Sequence, residues 1–118
     1  MPLQQDYILR LIEQIAAMLR AAVSRQGDKG SEERPEVVGQ ALGLALSMDP
    51  SMAANLTPAS LTALLQLGEV DSRVMALLQQ ALDIEATAYG ERGDYATAML
   101  RRDQAEAVRS LLETEARA

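Results

Sequence analysis

Apolar residues recur every three or four positions along most of the chain, with short polar breaks between the periodic segments. The first periodic segment, residues 4–24, predicts a long amphipathic helix. Its main apolar positions are Ile8, Leu11, Ile12, Ile15, Met18, Leu19 and Ala22. Because Leu9, Ala16 and Val23 widen the apolar surface beyond one face, a single neighbouring helix would leave part of it uncovered.

Two ways of covering this wide face stay open at this point. A second copy of the chain could pack on it, which predicts a homodimer. The self-association residues would then be Ile8, Leu11, Ile12, Ile15 and Leu19. Alternatively, the other helices of the same chain could wrap it. Adsorption to a membrane surface is disfavoured, because the polar face carries both signs of charge.

Residues 25–34 are polar and glycine-containing, which predicts a mobile connector before a helical array over residues 35–118. Pro35 suits the first turn of the next helix. Gly39 and Gly43 lie four residues apart inside that helix, so we expect another helix to approach it closely there.

Two cap-and-proline pairs follow and predict two further helix starts. Asp49 with Pro50 begins a short helical turn, because the aspartate side chain can cap the amides after the proline. Thr57 with Pro58 repeats this arrangement and begins a helix that we expect to end at Gly68.

The segment from about residue 71 to 115 predicts a helical hairpin. Gly93 can adopt the left-handed conformation that ends a helix, and Asp94 can cap the next one. Tyr95, Ala98, Met99 and Ala105 would share one face of the second helix. The residues expected to pack at the hairpin are Ala86, Tyr89, Gly93, Tyr95, Ala98 and Ala105.

This hairpin resembles a tetratricopeptide repeat unit. The resemblance rests on Tyr89 before the turn, the Gly93-Asp94-Tyr95 turn and the small residues Ala86, Ala98 and Ala105. Arg102 departs from the repeat, which usually has an aromatic there, and the final proline is missing. The unit covers about 34 residues and has no second good copy, so an isolated hairpin without a peptide-binding groove is the alternative.

Glu85 is a second departure, since the repeat comparison places a bulky apolar residue at that position. If it is buried, its carboxylate needs a partner, and Arg102 is the predicted one. Simple exposure of both side chains is the alternative. Five of the six methionines, Met18, Met48, Met52, Met75 and Met99, are interpreted as core filler.

Composition narrows the classes of function. The 118 residues suffice for one domain, and 48% are hydrophobic, dominated by helix formers, which predicts an all-α fold. The absence of Cys and His excludes disulfides, thiol nucleophiles and imidazole catalysis, and suits the cytoplasm. A net charge of −6 disfavours nucleic-acid binding. No apolar run approaches the ~20 residues of a membrane span.

The opening run from Gln5 to Gln14, Gln-Asp-Tyr-Ile-Leu-Arg-Leu-Ile-Glu-Gln, resembles the start of a family of short bacterial proteins. Members of that family pair such an N-terminal helix with a C-terminal repeat-like hairpin. The resemblance covers nearly the whole chain and implies a plan for the fold, but no activity.

These patterns contain no recognisable catalytic, cofactor-binding or metal-binding group. The leading hypothesis is therefore a non-catalytic protein–protein interaction or scaffold domain, self-associating as a homodimer, with an unidentified protein or peptide as a further partner. A regulator that binds a small ligand in a cavity between helices is the alternative. An enzyme that uses carboxylates and a tyrosine is the least favoured class.

Overall fold

The computed structural model describes residues 2–26 and 37–117, and every regular element in these two ranges is an α-helix. In chain order the helices are α1 (Pro2–Gln26), α2 (Val37–Leu46), α3 (Pro50–Ala54), α4 (Pro58–Leu67), α5 (Ser72–Glu91) and α6 (Tyr95–Arg117). The all-α prediction is confirmed. Of the predicted connector, residues 25 and 26 belong to α1, and the remainder, with Pro35, lies outside the described residues.

Helix α5 lies at the centre of the packing. It contacts α1, α2 and α6, while α3 packs on α2 and α4 packs on α6. The largest fully buried apolar side chains are Ile15, Leu42, Leu61, Leu65, Met75, Leu78 and Leu82. All the long helices therefore contribute to one apolar core. None of the described helices combines the length and the apolar character needed to cross a membrane.

The close approach predicted at Gly39 and Gly43 is confirmed. A Cβ atom at Gly39 would lie 2.9 Å from the carbonyl oxygen of Pro50. One at Gly43 would lie 2.9 Å from the carbonyl oxygen of Met48. The glycines thus allow the chain to turn back from α2 into α3 at backbone contact distance.

The predicted helix caps are also present. Asp49 accepts hydrogen bonds from the Ser51 and Met52 amides, and Thr57 accepts one from the third residue after it. Hydrogen bonding from the Ser51 hydroxyl lowers the pKa of Asp49. Asp71 caps α5, and the hydrogen bond from the Arg73 side chain lowers the pKa of Asp71.

The turn between α5 and α6 has the predicted chemistry. Gly93 adopts a φ of +84°, and its amide donates to the Gly90 carbonyl at 3.1 Å. The Asp94 amide donates to the Tyr89 carbonyl at 2.9 Å, which completes a Schellman motif. The Asp94 carboxylate then accepts from the Thr97 amide at 3.2 Å and caps α6.

The predicted end of α4 at Gly68 is confirmed, since the helix ends at Leu67 and Gly68 is its C-cap. Gly68 keeps an ordinary right-handed φ of −81°, and the left-handed residue is Glu69, with a φ of 50°. The Val70 amide donates to the Leu65 carbonyl at 3.1 Å, the same closing bond as after α5. The glycine therefore marked the end of α4 without supplying the left-handed position.

The packing face of α6 differs from the prediction. Ala86, Ala98 and Ala105 are buried, as expected, whereas Tyr95 is 69% exposed and Met99 is 59% exposed. The other buried positions on α6 are Arg101, Gln104, Val108 and Leu111. The helix is turned so that a polar pair, rather than Tyr95 and Met99, faces the rest of the chain.

The methionines do not act as one class. Met75 is fully buried in the core, but Met52 and Met99 are mostly exposed. Met18 and Met48 are half-buried against the core. The interpretation of all five as core filler is wrong for Met52 and Met99.

Candidate functional site

Three of the five residues predicted for self-association lie in the chain's own core. Leu11, Ile15 and Leu19 are buried, because α5 and α2 pack on that face of α1. Ile8 and Ile12 are half-buried against the same core. The intramolecular covering that the sequence left open therefore accounts for this part of the face.

A second set of apolar side chains on α1 stays accessible, and we call it the outer stripe. It consists of Leu9, Ile12, Ala16 and Val23. Leu9 is 45% exposed and Val23 is 55% exposed, while Ile12 and Ala16 are half-buried. Leu9, Ala16 and Val23 recur every seven residues, with Ile12 between the first two, which is the spacing of a helix–helix seam.

The outer stripe borders a solvent-open groove between α1 and α5, here called the α1–α5 groove. Its volume is about 530 Å³. Its lining residues are Ala16, Leu19, Arg20, Val23, Ser24, Leu77, Gln80 and Ile84. Leu77 and Ile84 are half-buried, so α5 continues the accessible apolar surface of α1.

The second candidate site is internal. Glu85, Arg101 and Gln104 are all buried, and we call them the buried polar cluster. The Nε of Arg101 donates to Oε1 of Glu85 at 2.9 Å, and its Nη1 donates to Oε1 of Gln104 at 3.0 Å. This cluster joins α5 to α6 through a buried ion pair.

The buried polar cluster also binds backbone groups of other elements. The Val38 amide, near the start of α2, donates to Oε2 of Glu85 at 2.9 Å. Arg101 Nη1 donates to the Ala54 carbonyl at 2.6 Å, and Gln104 Nε2 donates to the Leu56 carbonyl at 2.7 Å. Glu85 thus supplies a negative charge at the positive end of the α2 dipole, and the other two side chains hold the α3–α4 connection.

The predicted pairing of Glu85 with Arg102 needs correction. Glu85 is buried, as the pairing required, but the arginine bonded to it is Arg101, and Arg102 is exposed. One residue along a helix rotates a side chain by about 100°, so only one of the two arginines can face α5. Arg101 lies between the buried Ala98 and Ala105 at helical spacing, which is the signal that could have identified it.

The buried polar cluster is saturated. Among the described residues, no buried side-chain nitrogen or oxygen lacks a hydrogen-bond partner. A carboxylate and a guanidinium held in this way position helices, since proton transfer would break bonds that the fold uses. Within the same ranges, no three acidic side chains come together in a way that could hold a metal ion.

The remaining predicted residues lie apart from both sites. Tyr95, Met99 and Arg102 follow one another along the exposed face of α6. Tyr89 is half-buried, with the guanidinium carbons of Arg92 and Arg101 at 5.7 and 6.0 Å from its ring centre. The hairpin residues therefore divide between internal packing and an exposed face, and do not form a single pocket.

Comparison of the chain with protein-family models, with curated proteins and with solved structures finds no match in any of the three. The resemblances to a bacterial family and to a tetratricopeptide unit therefore stay predictions, and the function is argued from the geometry alone.

Proposed function

We propose that this protein is a non-catalytic interaction domain that self-associates through the outer stripe of α1. One observation carries the proposal: Leu9 and Val23 are 45% and 55% exposed on a helix whose adjoining face fills the core. Their seven-residue spacing is typical of a surface that another helix covers.

The energetics favour a helix as the covering element. Removing a Leu or Val side chain from water stabilises an association by about 1.5–3 kcal/mol when the burial is complete. In a symmetric dimer each buried position counts twice. The α1–α5 groove adds Leu77 and Ile84 beside the stripe, which widens the surface that a partner helix can contact.

The buried polar cluster suits a supporting role in this proposal. It fixes α2, the α3–α4 connection, α5 and α6 relative to one another, and α5 in turn supports α1. In this account the α5–α6 hairpin is a tetratricopeptide-like packing unit rather than a peptide-binding groove. The cytoplasm is the proposed location, because a chain without cysteine has no need of an oxidising compartment.

The test is the native mass of the wild type and of the Leu9→Glu/Val23→Glu variant, measured by light scattering after gel filtration. We expect twice 12.8 kDa for the wild type and 12.8 kDa for the variant. Both substituted side chains are exposed, so circular dichroism should show an unchanged helix content. A wild type that keeps the monomer mass of 12.8 kDa at all concentrations, or a variant that keeps the dimer mass, would contradict the proposal.

Tyr95→Glu/Met99→Glu is the matched control. It places the same two charges on apolar side chains that are 69% and 59% exposed, but on α6. We expect it to keep the dimer mass, because the loss of association should depend on α1 and not on added charge. Leu19 is unsuitable as a test position, since it is buried and a charge there would disturb the fold.

Ligand binding in the α1–α5 groove is the second candidate function. The groove is open to solvent, and Arg20, Ser24 and Gln80 add polar groups to its apolar walls, which offers a small molecule both kinds of contact. One member of a metabolite panel should then raise the melting temperature. A Gln80→Trp variant, which fills the groove, should lose that shift, whereas Gln66→Trp at an exposed position should keep it.

A further inference from the structure

We propose that the two copies pair their α1 helices antiparallel, with Glu13 of each copy facing Arg20 of the other. This inference rests on the proposed self-association and adds its geometry. It is argued from the positions of charged and apolar side chains around α1.

The two edges of the outer stripe differ in character. Successive residues of a helix are rotated by about 100°, which places Ile12, Val23, Ala16 and Leu9 in that order across an arc of about 60°. Beyond Ile12 comes Leu19, which is buried towards α5. Beyond Leu9 come Arg20 and then Glu13, both exposed. One edge is therefore apolar and the other is charged.

The orientation follows from which edges meet. In an antiparallel pair of helices, corresponding edges face each other, whereas in a parallel pair each edge faces the opposite one. A parallel pair would set Glu13 and Arg20 against the apolar α5 side of the second copy. An antiparallel pair sets charged edge on charged edge, and brings Leu77 and Ile84 of both copies to the apolar side. Charge complementarity and apolar burial thus favour the same orientation.

The two charges also fix the register. Glu13 and Arg20 have opposite sign and lie seven residues apart on the same edge, so each meets its complement in the second copy. The two-fold axis then passes α1 close to residues 16 and 17. Ala16 is small and permits close approach there, and Ile12 of one copy lies near Val23 of the other.

A charge-exchange series tests the pairing by sedimentation equilibrium. Glu13→Arg and Arg20→Glu each create two repulsive contacts and should weaken the dimer about tenfold. The exchanged variant Glu13→Arg/Arg20→Glu should return the dissociation constant to near the wild-type value. Arg10→Glu, on the exposed face away from the stripe, should change little. Single changes that weaken the dimer without rescue by the exchange would overturn the pairing.

Cysteine cross-linking tests the orientation, since the chain has no cysteine of its own. The Ile12→Cys and Val23→Cys chains are oxidised separately and as a mixture. In the antiparallel dimer, the two copies of residue 12 lie about 14 Å apart along the axis and the two copies of residue 23 about 20 Å apart. Both distances are too long for a disulfide, so only the mixture should give covalent dimers.

The outcomes separate this inference from the proposed function. A wild type that is monomeric overturns both. A dimer in which each single variant cross-links with itself is parallel and overturns only the antiparallel geometry. A dimer that cross-links neither alone nor in the mixture uses a different surface, and overturns the geometry as well as the role of the outer stripe.

Discussion

The buried polar cluster and the outer stripe differ in chemistry and in how far the rest of the chain covers them. Glu85, Arg101 and Gln104 are polar groups inside the protein, and the described part of the chain supplies their hydrogen-bond partners. Leu9 and Val23 are apolar groups outside it, and their seven-residue spacing matches a helix seam. The cluster therefore explains how the helices are held together, and the stripe is the surface that we propose a second copy covers.

This contrast separates stability from association. Breaking the cluster leaves an uncompensated charge in the interior, which lowers the free energy of unfolding. In the proposed dimer, altering the stripe should remove a contact that a second chain provides, which should change the dissociation constant and leave the fold intact.

The largest effect should come from the cluster. Arg101→Met removes the guanidinium and leaves Glu85 buried without its ion pair, so we expect a loss of about 3–5 kcal/mol in the free energy of unfolding. Arg102→Met is the matched control on the neighbouring exposed residue, and should leave stability nearly unchanged. Urea unfolding measures both, and equal losses would show that the ion pair is not where the structure has it.

The next largest effect should distinguish the two faces of α1. Ile15 is fully buried, and Ile15→Ala should cost about 2–5 kcal/mol through lost burial and the cavity left behind. Val23→Ala on the outer stripe should change the stability of the monomer by less than about 0.5 kcal/mol. Unfolding is measured at a protein concentration below the dissociation constant of the proposed dimer, so that only the stability of the monomer is compared. Similar costs at both positions would mean that Val23 is covered within its own chain.

A smaller effect should come from a close backbone contact between α2 and α3. In Gly39→Ala the new Cβ meets the Pro50 carbonyl oxygen at 2.9 Å, so we expect a loss of about 1–3 kcal/mol from overpacking. At Gly90 the nearest atom would be 3.9 Å away, in the Ala98 side chain. Gly90→Ala should therefore stabilise the protein by up to about 1 kcal/mol, because alanine favours the helix. In thermal unfolding, we expect the melting temperature to fall for Gly39→Ala and to rise for Gly90→Ala, relative to the wild type.

The smallest effect should be a dependence of stability on pH at a helix cap. The hydrogen bond from Arg73 lowers the pKa of Asp71, so the folded state favours the carboxylate. That contribution is present above the pKa of the unfolded chain and is lost as the pH falls through the lower folded value. Asp71→Asn should therefore show a shallower loss of stability below about pH 4 than the wild type or Asp83→Asn, in urea unfolding across pH. If the free energy of unfolding of the wild type and of Asp71→Asn fell equally steeply with pH, the hydrogen bond from Arg73 to Asp71 would be contradicted.

The sequence predicted the helices well because their signals are local. Asp49, Thr57 and Gly93 act within a few residues of their own positions, and each is a cap or a helix end in the structure. Glu69 shows the limit of these local signals. The left-handed residue at the end of α4 is Glu69 and not the preceding Gly68, and the Val70 amide closes the turn by donating to the Leu65 carbonyl.

Local signals only partly predicted which face of α6 is buried, although the spacing of Ala98, Arg101 and Ala105 pointed to it. The buried face depends on Arg101 and Gln104 reaching the carbonyls of Ala54 and Leu56, nearly fifty residues earlier in the chain. Periodicity alone allowed Tyr95 and Met99 to share the face of Ala98, and the structure exposes both. Long-range hydrogen bonds decided which of two adjacent faces was buried.

The sequence identified the apolar surface of α1, but not which part of it the other helices cover. Its apolar residues cover a wide arc, and the sequence does not state where α2 and α5 dock on it. Docking removes Leu11, Ile15 and Leu19 from the surface and leaves Leu9 and Val23 accessible. Most of the residues predicted for self-association therefore lie on the inner face of α1, and the outer stripe that we propose instead lies beside them.

The most direct test is sedimentation equilibrium of the unmodified chain over a wide range of concentration. If a second copy covers the outer stripe, the mass should rise from 12.8 kDa towards twice that value along a single monomer–dimer curve. A mass that stays at 12.8 kDa across the whole range would contradict the central claim.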